Sequence, residues 1–303
     1  MLFVRIFSKT ILLTAAVLFV CAFCFAQKKP SEIDQLRSKD DVRNFLTKRI
    51  SHRWKKKYIW TDISDADSTK LLKELFYKLD LNNDGRNDLL VNGNYLFAVI
   101  DLGHNKYEVH NIDYSDWTDR KYTLIKIENR TSPLLLILAD QTWDNQSRNN
   151  TIFRDTIGLT ADMGFIEYNP NPLTVDIKQI NLRTTMCFGT CPVFELTIND
   201  DQAVMYNAIQ FNKVSGMFYS KLSADKLKKI SSLINYINKP SLKDHYAVEW
   251  TDDQSVILDI KFKNGQVKHI TDYGEIGTLG LRKLYALIFN LRNELNWKKN
   301  ETN

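Results

Sequence analysis

The sequence predicts an α+β protein of two domains, each a mainly antiparallel sheet with helices packed on one face. Three observations predict it. Between residues 74 and 168 short apolar or alternating runs follow one another, broken by Asn, Asp and Gly, as in an antiparallel meander. After residue 176 strand-like runs are joined by two segments with apolar side chains at helical spacing, without the regular alternation of a βαβ series. Between the halves lies Asn169-Pro170-Asn171-Pro172. Its prolines lack backbone donors and favour an extended path, so the domain boundary is expected at 169–175.

The chain opens with the three parts of a secretory signal peptide in order. Arg5 and Lys9 give a short positive region, an apolar run over 11–25 follows, and Cys24-Phe25-Ala26 offers small side chains at the two positions a signal peptidase reads. The run is short of the roughly 20 residues a membrane span needs. Cys21 and Cys24 follow bulky Val20 and Phe23, where a lipid-attachment site wants small residues. Residues 1–26 are therefore expected to be removed after Ala26, leaving an extracytoplasmic (periplasmic or secreted) protein with no transmembrane span. The remaining 303 − 26 = 277 residues suffice for two domains. Loss of Arg5 and Lys9 lowers the formal charge from +5 to 5 − 2 = +3, too mild to imply an acidic partner. The basic run 48–57 around Trp54 would suit nucleic acid in another compartment; in an exported protein a solvated helix end is expected, and no nucleic acid.

Residues 27–37 are polar and read as a loose leader. Ser38 is an N-cap, with Asp40 and Asp41 in the first turn and Val42, Phe45, Leu46 and Ile50 on one helical face. Strands follow over 95–100, 107–112, 122–127, 134–138, 151–159 and 164–168. In the second half Ile180, Leu182, Thr184 and Met186 alternate, as do Phe194, Leu196 and Ile198, with further strands at 203–206 and 216–219. Ser223 caps a helix whose stripe is Leu227, Ile230, Ile234 and Ile237, stopped by Asn238-Lys239-Pro240. Val256, Leu258, Ile260 and Phe262 alternate into Asn264-Gly265, a strong hairpin signal, and 267–271 returns. Counting back across a two-residue turn sets His269 opposite Ile260, on the inner face. A last helix begins near Thr278 and carries Leu281, Leu284, Ile288, Leu291 and Leu295 inward.

The sharpest chemical motif is the acidic run 80–91. Asp80, Asn82, Asp84 and Asp88 would supply side-chain oxygens and Arg86 its carbonyl, a spacing that can wrap hard ligands around calcium. An EF-hand needs Glu at the twelfth position, and Val91 stands there. The run resembles the strand–loop–strand calcium sites of FG-GAP (integrin-type propeller) repeats, over about a dozen residues only. A propeller needs several blades, so that fold is not implied. The competing reading is an acidic turn whose Asp and Asn side chains satisfy their own backbone. In a calcium-rich compartment the expected cofactor is a structural calcium ion.

After cleavage two cysteines remain, Cys187 and Cys191, flanking Phe188-Gly189-Thr190. In an exported chain they most simply form a disulfide; redox chemistry and metal thiolates are the alternatives. Redox pairs normally have a two-residue gap, and no basic residue adjoins this one. The run 180–186 leading into Cys187-Phe188-Gly189-Thr190-Cys191-Pro192, the strands after it, the helix at 223–237 and Trp297 resemble an uncharacterised family of bacterial exported proteins. That family is a domain of unknown function with a Cys-Phe-Gly-x-Cys-Pro signature, and the resemblance spans about 176–298. It implies no activity.

His52, His104, His110, His245 and His269 are scattered, and no nucleophile elbow, phosphate loop or dinucleotide fingerprint occurs. Asp62, Asp65 and Asp67 could serve glycoside chemistry but also fit a solvated turn. Trp60, Trp117, Trp143 and Trp250 could line a groove or fill a core. The expected function is non-enzymatic binding, to an envelope protein or a glycan. The alternative is an extracytoplasmic enzyme, either a carboxylate hydrolase or a thiol–disulfide protein.

Overall fold

The structure is a computed structural model that describes residues 30–50, 72, 74–93, 95–112, 121–130, 132–140 and 153–299. The signal peptide, most of the basic run, Asp62, Asp65, Asp67, Trp60, Trp117 and Trp143 lie outside the described residues. The architecture is α+β, with mostly antiparallel sheets and few helices.

Two short helices come first. α1 (Glu32–Gln35) and α2 (Lys39–Arg49) each start in a reciprocal capping box, Ser31 with Asp34 and Ser38 with Asp41. The expected loose leader is thus corrected from Ser31 onward: a cap and the buried Ile33 order one helical turn that weak periodicity hid. Glu32 reaches Arg49 and Lys48 at the end of α2, tying the two helices together.

The first sheet runs β1 (Phe76–Leu79), β2 (Asp88–Asn92), β3 (Leu96–Asp101) and β4 (Tyr107–Asn111) in sequence order, all antiparallel. β2 and β3 are buried at every position because both faces are covered. Leu90, Ala98 and Ile100 join the main core, while Leu89, Val91, Phe97 and Val99 pack with Ile33, Val42, Phe45 and Leu46. The second sheet is also a meander: β5 (Lys121–Glu128), β6 (Leu134–Asp140), β7 (Phe153–Thr160) and β8 (Gly164–Glu167).

The third sheet has eight strands in the order β13-β15-β14-β9-β10-β11-β12-β16. Its centre is β9 (Ile177–Thr184), β10 (Val193–Asn199), β14 (Ser255–Phe262) and β15 (Val267–Tyr273). β11 (Ala203–Gln210), β12 (Gly216–Lys221) and the short β16 (Lys298–Lys299) extend one side. β13 (His245–Ala247) pairs in parallel with β15 on the other. Leu182, Leu196, Val256, Leu258 and Ile270 point to one face and share a core with Ile230, Leu233 and Ile234 of α3 (Ala224–Ile237) and Leu281, Leu284 and Ile288 of α4 (Leu279–Glu294). Ser223 and Thr278 cap these helices.

The hairpin between β14 and β15 corrects one reading. The loop has three residues, because Phe262 N bonds Gln266 O and Gly265 N bonds Phe262 O, with Gly265 at φ +87°. The register is Asp259 opposite His269 and Ile260 opposite Lys268. A one-residue slip exchanges the faces, so His269 lies on the outer face and is exposed.

Residues of all three sheets and of α3 and α4 form one apolar cluster. Polar ties cross from the second sheet to the helices. The Glu167 carboxylate, from the end of β8, accepts N–H bonds from Leu279 and Gly280 at the N-terminus of α4 (2.9 Å to Gly280). Burial raises its pKa even though these amides favour the charged form. Gly280 is needed for closeness: a Cβ there would sit 2.4 Å from Ile237 Cγ2 and 3.2 Å from Glu167 Oε2. Arg282 Nη2 donates to Tyr122 Oη (2.7 Å), and Asn169 Nδ2 donates to Tyr236 O (2.6 Å).

Candidate functional site

Polar and reactive side chains gather in three places: the acidic loop, the cysteine loop and the outer face of the eight-stranded sheet. The acidic loop joins β1 to β2. Asp80 accepts from the amides of Asp84 (3.0 Å) and Gly85 (2.7 Å), Asn82 Oδ1 accepts from Asp84 N (3.2 Å), and Asp84 Oδ1 accepts from Arg86 N (2.8 Å). Arg86 turns its side chain inward, pairing Nη2 with Asp84 and donating Nε to Asp101 O (2.8 Å). Asp88 is fully buried and accepts from Leu81 N and Asp101 N, both at 2.8 Å. Burial pushes its carboxyl up to about 7 against those two amide bonds, with Asp84 and Asp80 adding to the rise.

Among the described residues no group of three or more His, Cys, Asp or Glu side chains is gathered as a metal would require. The loop oxygens hold loop amides, and the Arg86 guanidinium provides the positive charge beside Asp84. Asp84 also accepts from Asn82 Nδ2 (3.1 Å). The donors are hard oxygens, a chemistry that suits calcium. An ion here would displace Arg86 from Asp84.

Cys187 and Cys191 are joined, with Cα atoms 5.8 Å apart. The loop they close is pinned to the strand entry beside it. Phe188 N donates to Asp252 O (2.8 Å), and buried Gln254 donates Nε2 to Thr185 O (2.8 Å) and Pro192 O (3.0 Å). Thr184 Oγ1 bonds Pro192 O and accepts from Phe194 N. Met186 and Phe188 are left 65% and 89% exposed. A ring this small removes little chain entropy, so its main effect is the shape of the turn.

The outer face carries the polar half of each strand's alternation. Along one row stand His269, Asp259, Asn181, Thr197, Met205 and Tyr219, on β15, β14, β9, β10, β11 and β12. The next row has Thr271, Ile257, Arg183, Glu195, Asn207 and Met217. These side chains are linked. His269 Nδ1 is 2.6 Å from Asp259 Oδ1, and its Nε2 is 3.3 Å from Thr271 Oγ1. Asp259 Oδ2 lies 3.8 Å from Arg183 Nη2. Asn181 Nδ2 donates to Glu195 Oε1 (2.6 Å) and Thr197 Oγ1 (2.9 Å). Lys261, Gln179 and Asn199 continue the pattern. Donors and acceptors of both charges thus stand side by side on this face.

Of these residues the sequence points to His269, on the wrong face, and includes Asn181 and Arg183 only within the run 180–186. Their signal was present as the odd positions of each strand, but which odd positions abut depends on a strand order that no local pattern fixes. Trp250 is half-buried and donates Nε1 to Asp253 (3.1 Å), a structural role.

Residues 178–292 match the family described as a domain of unknown function, DUF6438. No curated protein and no solved structure matches the chain. No helix among the described residues is long and apolar enough to cross a membrane.

Proposed function

We propose that the chain is an exported, non-enzymatic binding protein that recognises a glycan with the outer face of its eight-stranded sheet. In this reading two units, 27–168 and 176–298, meet at the stretch 169–175, and the second carries the ligand. The observation that carries it is two linked clusters on adjacent rows of this face, Thr271–His269–Asp259–Arg183 and Glu195–Asn181–Thr197. Amides, carboxylates, a guanidinium and an imidazole alternate at strand spacing, which suits the mixed donors and acceptors of vicinal sugar hydroxyls. Tyr219, 42% exposed, ends the row beside half-exposed Met205 and Met217, an apolar seat for a sugar ring face. Because the partners already hold one another, little side-chain entropy is lost on binding.

The test is direct binding of the mature protein to a panel of soluble and insoluble polysaccharides. Saturable binding is expected, weakened at least about tenfold by Asp259→Ala and by Asn181→Ala, which corresponds to about 1.4 kcal/mol. Failure to bind any glycan, or binding indifferent to both substitutions, overturns the reading. A structural calcium ion at Asp80, Asn82, Asp84, Arg86 and Asp88 belongs to the same proposal as a stabiliser of the first sheet.

A second reading has one specific observation in its favour: Asp259, His269 and Thr271 stand in the order of an acid–base–nucleophile relay. Against it, β14 and β15 are each flanked by strands on both sides, so the amides nearby serve the ladders and are not free to stabilise an oxyanion. Turnover of an activated ester that His269→Ala abolishes would favour this enzyme.

A further inference from the structure

Tyr219 stands where the outer face meets the edge of the eight-stranded sheet. Its strand, β12, has β11 on one side and the two-residue β16 on the other. In that second pairing Tyr219 is opposite Lys298, and Phe218 is opposite Lys299. Phe218 packs against the main core, so alternation sends Lys299 to the inner side and Lys298 to the outer face beside Tyr219. Lys221, two residues on from Tyr219 along β12, emerges on that same face. Both lysines are exposed.

The backbone that carries Lys298 is tied down. Trp297, the residue before it, sets its ring against Tyr206 with centroids 5.2 Å apart and donates Nε1 to Arg292 O (3.1 Å). Ser220 Oγ donates to Asn296 O (2.9 Å). Side chains directly opposite in an antiparallel pair have Cβ atoms about 5 Å apart, and diagonal ones about 7–8 Å. Lys298 and Lys221 therefore flank the Tyr219 ring within reach of one ligand group. The acids of this face and edge have other partners. Asp259 holds His269, Glu195 accepts from Asn181, Asp201 accepts from Ala203 N (2.9 Å), and Glu294 pairs with Lys226. The Tyr219 end of the face is thus positive, and the negative groups lie toward β10 and β14.

We propose that the glycan bound by this face is acidic, its uronic acid seated on Tyr219 with the carboxylate between Lys298 and Lys221. The inference rests on the glycan reading and adds the chemical class of the ligand. A uronic acid combines what this spot offers: an apolar C–H ring face for Tyr219, and a carboxylate on the ring's rim for the ammonium groups. A neutral sugar would use the ring seat and leave both ammonium groups in water. A second copy of the chain would bring lysines against lysines along this edge. From β12 to β14 are four strand spacings, about 19 Å, so the ligand spans several sugars. A further carboxylate at the far end would meet Glu195 and Asp259. The class expected is therefore a polysaccharide in which uronic acids are interspersed with neutral sugars.

The experiment measures binding of the mature protein to glucuronoxylan and hyaluronan, to the carboxyl-reduced form of each, and to xylan, polygalacturonate and dextran sulfate. At least one of the first two should bind saturably, at least about tenfold tighter than its carboxyl-reduced form and than polygalacturonate or dextran sulfate. Replacing both lysines, Lys221→Ala with Lys298→Ala, should bring the native polymer down to the affinity of the reduced one and leave the reduced one unchanged. The melting temperature should stay near that of the wild type, since both side chains are exposed, and Lys→Arg at the two positions should keep the preference. Equal binding of native and reduced forms, indifference to the lysine substitutions, or tightest binding of polygalacturonate or dextran sulfate overturns the inference. In those cases polysaccharide binding that Asp259→Ala weakens keeps the glycan reading standing. Absence of binding to every polymer, acidic or neutral, overturns the glycan reading itself.

Discussion

The two faces of the eight-stranded sheet are made by the same strands, one residue apart, yet polar groups do different work on each. On the inner face the few polar side chains are spent on the backbone. Asp272 is fully buried and takes the amides of Ile276 (2.8 Å) and Gly277 (2.9 Å), and Thr184 serves Pro192 and Phe194. On the outer face side chains bond mainly to other side chains, as Asn181 does with Glu195 and Thr197. The difference follows from solvent. A buried polar atom must be fully satisfied or it costs about 1–3 kcal/mol, and turn amides are the nearest donors. An exposed one can exchange its partner for water or ligand at little cost. Inner polar residues therefore shape loops, and outer ones remain available for recognition.

That contrast is most sharply broken from the inside. Leu258 is fully buried between Leu182 of β9 and Ile270 of β15. Leu258→Ala should cost about 2–5 kcal/mol in denaturant unfolding, through lost transfer energy and a residual cavity. A cost below about 1 kcal/mol would mean that the face is not packed as described.

The loop before α4 gives the next effect, and its sign is fixed by burial. Glu275 has its carboxyl pushed up to about 7, first by burial, then by Asp272 and Asp253, with Arg282 and Arg292 opposing. An acid whose folded pKa exceeds its unfolded value binds more protons when folded, so stability falls as pH rises between about 4.5 and about 7. Glu167 acts with the same sign, since burial raises it too. Glu275→Gln should flatten part of that slope and stabilise the protein at pH 8 by on the order of 1–2 kcal/mol. An unchanged pH–stability profile would remove Glu275 from the account.

Calcium provides a smaller effect, confined to the first sheet. With a dissociation constant near 10⁻³ M, as in extracellular modules, about 10 mM calcium would stabilise by roughly 1.4 kcal/mol. The melting temperature should rise accordingly, and Asp84→Ala should abolish the rise. No calcium-dependent shift in the wild type would leave Arg86 as the loop's sole counter-charge and end the calcium proposal. The smallest change in stability belongs to the outer face: His269→Ala should alter it by no more than about 0.5 kcal/mol. Glycan affinity, by contrast, should drop. A large loss of stability would make the row structural.

Much of the fold was legible because most elements are locally encoded. Ser38, Ser223 and Thr278 are N-caps where expected, and each apolar stripe faces the core. The misses have specific causes. Residues 31–35 lacked periodicity but had a capping box. The Asn264-Gly265 hairpin has a three-residue loop, and that single residue carried His269 to the other face. β13 joined β15 in parallel at the sheet's edge, a pairing no local signal announces. For the candidate sites, the acidic loop and the cysteine pair were visible as motifs. The linked clusters were not, because they draw on strands separated by tens of residues.

By itself the sequence determined most of the strands and the three longer helices with their caps at Ser38, Ser223 and Thr278. It also determined that Cys187 and Cys191 stand close enough to join. These follow from side-chain alternation, caps and short spacings, whose energetics are local. Tertiary structure alone decided that β14 inserts beside β9, that Glu167 seats on the start of α4, and that Asp259 meets His269. Those outcomes depend on burying distant surfaces against one another, and only the folded chain brings their atoms within reach.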